Sequence, residues 1–416
     1  MINRVHVMNE DRRVLISGGG PVGLFCALLL GRAGVPVRLF DANPGLQEDP
    51  RAATTHPATL EIMGAAGLAE EMERVGLVAP IFQFWDRPAQ RLVAEFDHAL
   101  LKDDTKYPYV VQCEQFKTSK IILDRIQAEL SNVEVFFNAS VTGFTQDANG
   151  VDVDVAIDGK SQRHRGGWLI GADGGRSTVR KAADIPFEGF TWAERFLVLT
   201  TPFDFEAGRG YCYRSYFADP EEWCNCFKVS ASGPPGLWRT VFPTDNEASE
   251  ESLMNDEAVQ ARLQKFFPAS KPYDVVHRNL YVTHQRVAST FRKGRVLLAG
   301  DSAHVNNSIG GMGLNGGLQD ADNLARKLAE VVMNGAPDSL LDLYSLQRRT
   351  VCVEFVQEQS IANKKRLETR EPEARKKNLD ELTRMSEDPA KARDFMLRAG
   401  MITMQRRAAS ITLDQA

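Results

Sequence analysis

The run Val14-Leu-Ile-Ser-Gly18-Gly-Gly20-Pro-Val-Gly23 leaves this chain few ways to fold. An apolar strand enters three consecutive glycines, Leu24 to Leu30 continue as an apolar helix, Gly34 stops it, and Val37-Arg-Leu-Phe-Asp41 forms a second strand ending in an acid. That order, with the acid about 20 residues beyond the first glycine, is the complete fingerprint of a dinucleotide-binding βαβ unit. Gly18 permits the tight turn, Gly20 lets backbone approach a pyrophosphate, Gly23 lets helix and strand pack closely, and Asp41 can accept from ribose hydroxyls. A βαβ unit that binds nothing would need all four in register by chance.

A second strand-to-helix junction stands far downstream. Val296 to Ala299 ends at Gly300-Asp301, and five glycines follow at 310, 311, 313, 316 and 317. Leu318, Ala321, Leu324, Ala325, Leu328, Val331 and Val332 then recur at three- and four-residue steps, with Gly335 as the stop. The spacing predicts a helix whose glycine-rich start presents unpaired N–H groups and a partial positive charge, a seat for something flat, polar and anionic. Asp173-Gly174, closing the strand Trp168-Leu-Ile-Gly-Ala172, echoes Gly300-Asp301, and Ser177 or Thr178 can open the helix after it.

The 416 residues suffice for two domains, and 43% hydrophobic with 25% charged is a globular balance. A net charge of −5 argues against a nucleic-acid partner, which needs a basic surface. The polar start, Met1 to Arg13, has no apolar core, and no apolar run approaches the ~20 residues of a spanning helix, so no membrane is expected and the location is read as cytoplasmic. Six scattered cysteines without CxxC and seven histidines without HxxxH or HExxH predict no metal site.

The remaining chain places these motifs in an α/β architecture: a Rossmann-like nucleotide-binding domain with an inserted antiparallel-sheet domain and a C-terminal helical segment. Residues 1–80, 112–182 and 285–335 form the first. Short aromatic strands in 81–111 and 183–284, among them Tyr211 to Phe217, Cys224 to Ser230 and Leu237 to Pro243, form the second. Residues 336–416 are helical, and their runs Lys364-Lys-Arg366 and Arg375-Lys-Lys377 read as solvated faces.

With three separated motifs in place, the chain resembles the class A, single-component flavoprotein monooxygenases of the para-hydroxybenzoate hydroxylase fold, over most of residues 13 to 350. The resemblance implies FAD as cofactor, held by Gly18, Gly20, Gly23 and Asp41, by Arg51 near the pyrophosphate, by Gln115 and Asp301 near the ribityl chain, and by Asp173. The backbone of Gly313, Leu314 and Asn315 would face flavin N1 and O2, where a helix start stabilises the negative charge of the reduced ring. It implies NADH or NADPH as electron donor, O2 as co-substrate, and OH transfer to a small phenolic or N-heteroaromatic ring through a flavin C4a-hydroperoxide; relatives are often homodimers.

His56, in Thr55-His-Pro-Ala-Thr-Leu-Glu61, resembles a histidine that some relatives present to the substrate hydroxyl, and is the candidate catalytic base; a structural histidine is the alternative. Tyr213, Arg214, Tyr216 and Asn307 are the candidate substrate wall. Strand alternation puts Tyr213 and Arg214 on opposite faces, so the first three cannot all line the site unless the strand bulges. An inward Arg214 would predict a carboxylated substrate. Asn307-Ser308 stands where many relatives have prolines, and Lys117-Thr-Ser-Lys120 departs from the usual residues after Gln115. Two other readings stand beside the hydroxylase: a flavin monooxygenase of a larger polyketide or quinone-like ring, and a non-catalytic flavin-binding protein.

Overall fold

A computed structural model describes residues 12–49 and 52–415. Its centre is a six-stranded sheet in the order 292–293, 296–298, 168–171, 14–17, 37–40, 133–136, parallel except for the edge strand 292–293. Every residue of Val14–Ser17, Trp168–Gly171 and Val296–Leu298 is buried. Continuous apolar runs of this kind belong to parallel strands covered on both faces. The helices Pro21–Arg32 and Met312–Asn334 pack on this core, the second closed by Gly335 in the left-handed conformation. Gly18-Gly-Gly20, Asp41, Asp173 and Asp301 all follow the carboxyl ends of parallel strands, where open α/β sheets bind ligands.

The inserted sheet has eight strands, in the order 304–305, 277–288, 187–201, 237–245, 224–229, 214–218, 81–86, 91–97. It is antiparallel apart from 214–218, which runs parallel to 81–86 because the 81–97 hairpin enters from a distant part of the chain. The strand His277–Ala288 runs through the 284/285 position and ends beside His304–Val305, so this sheet reaches further into the chain than the spacing indicated. One sheet face packs Leu197, Leu199, Phe217, Trp238 and Phe242 against the helix Asp256–Phe266 in a second core. Its other face looks toward the parallel domain.

The C-terminal segment contains the helices Ser339–Val351, Glu358–Glu368, Pro372–Glu387, Pro389–Ala399 and Ile402–Ser410, with a π-helical turn at Cys352–Gln357. Lys364 corrects the reading of its basic runs as solvated. The residue is buried, with Nζ 3.1 Å from Glu194 and also paired with Glu368, above the Trp192 ring. Two carboxylates and an aromatic face make that burial tolerable. Among the described residues no helix is long and apolar enough to cross a membrane.

Candidate active site

A cavity of about 1140 Å³ joins the two sheets. One end is lined by Gly18, Gly19, Gly20 and Asp41, its middle by Gln115, Asp173, Asp301 and Gly310 to Leu314, and its far end by the inner face of the large sheet. That volume exceeds a pocket for one drug-sized ligand and suits a dinucleotide with a small second molecule.

The three fingerprint glycines differ physically. Gly18 has φ +108°, and a Cβ there would lie 2.3 Å from the Ala172 carbonyl oxygen; a Cβ on Gly23 would lie 2.0 Å from the Gly18 oxygen. Both are required by the fold. A Cβ on Gly20 would meet nothing within 4 Å except the cavity itself, the open backbone that a pyrophosphate needs. Asp41 Oδ1 accepts from Asn43 N at 2.8 Å and Nδ2 at 2.9 Å, and Oδ2 accepts from Gly19 N at 2.5 Å. A carboxylate oxygen holding one donor can accept a second, so Oδ2 keeps capacity for a ribose hydroxyl. These features fit FAD.

The two Asp-Gly echoes are in contact. Arg180 donates Nη1 to the Ser302 carbonyl and Nη2 to the Gly175 carbonyl, both at 2.9 Å, and lies 3.8 Å from the Phe187 ring centre. Asp173 caps the helix Thr178–Ala182 by accepting from Thr178 N at 2.8 Å and Val179 N at 3.1 Å, and it also accepts from Ser177 Oγ. Its carboxylate thus shapes the loop that lines the cavity. Gln115 opens the helix Gln115–Glu129 with its N–H on the Ala52 carbonyl at 2.8 Å, which sets it on the cavity wall. Arg51 lies outside the described residues.

At the glycine loop, Met312, Gly313 and Leu314 are the first three helical residues after the left-handed Gly311, and all three line the cavity. Their N–H groups are those that an α-helix leaves without a helical acceptor. Asn315 does not belong with them. It starts the second turn, is fully buried and does not line the cavity. Its side chain instead ties the glycine loop to residues 54–56: Oδ1 accepts from His56 N at 2.8 Å, and Nδ2 donates to the carbonyls of Thr54 (2.8 Å) and Gly311 (2.7 Å).

His56 is 1% exposed and caps the helix Pro57–Ala65. Its Nε2 is 2.7 Å from the Gly310 carbonyl oxygen, which requires Nε2 to carry the proton. Burial, reinforced by the Arg214 charge, pushes the ring well below the usual imidazole range, so it is neutral. Nδ1 then holds a lone pair and has no hydrogen-bond partner. The ring could accept a proton there, but it lies behind the glycine loop and does not line the cavity.

Of the substrate-wall candidates, Arg214 and Tyr216 share the inward face of Arg214–Ala218 and line the cavity, with Arg214 Nη2 donating to Tyr216 Oη at 3.1 Å. Tyr213 faces away: it packs against Trp238 in the second core, with Lys228 Nζ 4.9 Å from its ring. The strand does not bulge here, and alternation decides the matter. Asn307 reaches the cavity wall with its amide already engaged, Nδ2 donating to the Ser360 carbonyl at 3.1 Å and Oδ1 accepting from Ile309 N at 3.0 Å. It holds the loop in place of a proline's rigidity. Ser308 meets Tyr281 Oη at 2.8 Å.

The sequence did not single out Arg239, Asn225 or Phe227. Strand register sets Arg214, Phe227 and Arg239 opposite one another on three neighbouring strands, so their side chains share the cavity face. Arg214 and Arg239 are both buried, and burial, partly offset by Glu114, lowers Arg239 to about 10. Among the sheet residues that line the cavity there is no carboxylate. Asn225 and Arg239 each stand out as a polar residue in an apolar strand, a signal the sequence carried, but their face is decided only by pairing with Arg214.

A model of the FAD binding domain family matches residues 11–359. The para-nitrophenol 4-monooxygenase of Pseudomonas sp. (strain WBC-3) is 36% identical over 92% of this chain and 94% of that protein. The 6-hydroxy-3-succinoylpyridine 3-monooxygenase of Pseudomonas putida (strain DSM 28022 / S16) is 32% identical over 94% and 98%. The crystal structure of p-nitrophenol 4-monooxygenase from Pseudomonas putida DLL-E4 superposes with a TM-score of 0.88 at 33% identity, covering 93% of this chain and 98% of that one. With this site built on that fold, the chain belongs to the class A FAD-dependent aromatic hydroxylases, and it is a flavin-dependent monooxygenase of small aromatic compounds.

Proposed function

We propose that the protein hydroxylates a small, anionic phenol or hydroxypyridine, with NADH or NADPH as electron donor and O2 as the oxygen source. The observation that carries this reading is the row Arg214–Phe227–Arg239, two buried guanidinium groups flanking an aromatic ring at the far end of the cavity from Gly20 and Asp41. A cationic wall without carboxylates lowers the cost of ionising a phenol, and the phenolate pushes electron density into the ring carbon that is attacked.

Bound FAD would supply the activation of O2, from which the transferred oxygen atom comes. The chain's own residues do the rest. Gly20 and Asp41 would hold the nucleotide end of the cofactor, the N–H groups of Met312, Gly313 and Leu314 would offer it positive partial charge, and Val198, Phe227 and Val241 line the cavity with apolar surface that excludes water around the substrate. Arg214 donates to Tyr216 Oη, which leaves the tyrosine's own proton for a substrate oxygen.

A larger polyketide or quinone-like ring is disfavoured by the C-terminal helices. Behind Arg214 and Tyr216 they leave a side cavity of only about 20 Å³, closed by Asn363, Leu367 and Phe395, and Phe395 packs 4.7 Å from Phe96. The deciding experiment measures reduced-nucleotide oxidation and O2 uptake by the FAD-loaded protein across phenols and hydroxypyridines, with mass analysis of products. A substrate accelerates both and gains one oxygen atom; failure of every ring to do so overturns the reading.

A further inference from the structure

Asn225 lies on Cys224–Val229, paired with Tyr216 on one side and Val241 on the other, and is 6% exposed. It lines the cavity one rank along the sheet from the Arg214–Phe227–Arg239 row, on the same face. Its Oδ1 is buried and has no hydrogen-bond partner. Buried polar atoms in native proteins nearly always have partners, and an exception in a ligand cavity points to a partner that the ligand brings. Tyr216, its neighbour across the strands, accepts from Arg214 and makes no hydrogen bond to Asn225 Oδ1.

We propose that Asn225 is a specificity-determining residue that accepts a hydrogen bond from a neutral donor on the substrate ring, a second hydroxyl or a ring N–H, while Arg214 faces the ionised oxygen. This rests on the proposed function and narrows its substrate class to rings bearing both an ionisable oxygen and a separate donor. The geometry allows it because Arg214 and Asn225 are diagonal neighbours on adjacent strands, about 7–8 Å apart, a span that brackets one six-membered ring. Phe227, between Arg214 and Arg239 in the next rank, offers that ring a flat wall.

The choice of acceptor, and not donor, has a chemical consequence. An asparagine amide can present either end, but the end enclosed without a partner is the oxygen. Asn225→Asp keeps an acceptor at that position, Asn225→Leu removes it, and neither changes the strand's pairing. The probes are resorcinol and 3-methoxyphenol, whose second oxygen carries a proton in the first and a methyl group in the second; Asn225→Leu separates loss of the donor from the added bulk, because bulk alone would leave the preference in place.

Dissociation constants are read from the change in flavin absorbance on titrating the FAD-loaded protein, independently of turnover. In the native protein resorcinol binds about tenfold or more tighter than 3-methoxyphenol, the discrimination expected when a buried acceptor is met or left unmet. Asn225→Leu abolishes that preference with 3-methoxyphenol binding unchanged within about threefold, and Asn225→Asp retains it. Equal loss for both ligands in Asn225→Leu, or loss of resorcinol binding in Asn225→Asp, overturns the proposal. Native protein that binds both ligands without preference also overturns it. If both bind as expected yet no phenol is hydroxylated, the proposed function fails while the assignment of Asn225 stands.

Discussion

His56 Nε2 and the carbonyl oxygen of Gly310 are 2.7 Å apart, and this bond fixes the turn from which the glycine-loop helix starts. With Asn315 holding His56 N at 2.8 Å, the histidine forms part of a bracket between residues 54–56 and 310–315. A ring held well below the usual imidazole range is neutral both near neutrality and in mild base. His56→Ala is therefore expected to lower hydroxylation by the same factor at about pH 7 and pH 9, and to weaken FAD binding about 5–10-fold through loss of one buried hydrogen bond. A loss confined to the lower pH would return His56 to the role of base. Comparing the pH–rate profile with the FAD dissociation constant separates the two.

The fingerprint glycines separate cofactor binding from folding. Gly20→Ala places a methyl group in the cavity where nothing lies within 4 Å, so the apo protein should keep its denaturation midpoint while FAD binding falls by at least about tenfold. Gly18→Ala puts a Cβ 2.3 Å from Ala172 O at φ +108°, and should destabilise the apo protein by about 1–3 kcal/mol. Urea unfolding and flavin retention, measured on both variants, check the contrast.

The parallel core, its glycines and the acids after its strands were legible because each is local: a strand's end and the residue after it are adjacent in sequence. The large sheet was legible as strands but not as a surface. Tyr213 and Arg214 are neighbours in the chain, and only pairing of Arg214 with Phe227 decides which one turns inward. Arg239 joins them from a third strand. The resemblance put Asn315 beside Gly313 and Leu314, but a carried-over position does not say which residues of a helix start reach the cavity wall, and here Met312 to Leu314 line it while Asn315 is buried behind them. Lys364 misled because its partner Glu194 is 170 positions away.

Beneath the glycine loop, Asp320 is fully buried between His304 Nε2 and Arg348 Nε, each at 2.7 Å, and also accepts from Gly300 N at 3.1 Å. Burial opposes every charge here. The Cys352 sulfur and the Asp320 carboxylate nevertheless hold His304 well above its ordinary range, and His304 with Arg348 holds Asp320 below its own. The histidine's share of stability is complete below about pH 6.5 and is lost as pH rises through its raised value. The aspartate's share is present above about pH 4 and is lost as pH falls through its depressed value. Asp320→Asn leaves Arg348 buried without its charge partner and should cost about 3–5 kcal/mol of unfolding free energy. It should also flatten the alkaline loss of stability, as followed by urea titrations across pH.

Arg214 and Tyr213 supply the sharpest contrast at the substrate end, because one residue separates a side chain in the cavity from one in a closed core. Arg214 lines the cavity, donates to Tyr216 and has its guanidinium carbon 5.1 Å from the Phe82 ring centre, so planarity and charge both matter there. Arg214→Lys keeps the charge but loses the planar fork, and should raise KM for an anionic phenol about tenfold or more, with a smaller effect on kcat. Tyr213→Phe removes a hydroxyl on the other face, and should leave both constants within about twofold. A Tyr213→Phe variant that raised KM as much as Arg214→Lys would place the substrate on the opposite side of the sheet, against the packing of Tyr213 with Trp238. Steady-state kinetics on the two variants, with one phenolic substrate and the product analysed for its added oxygen, decide it.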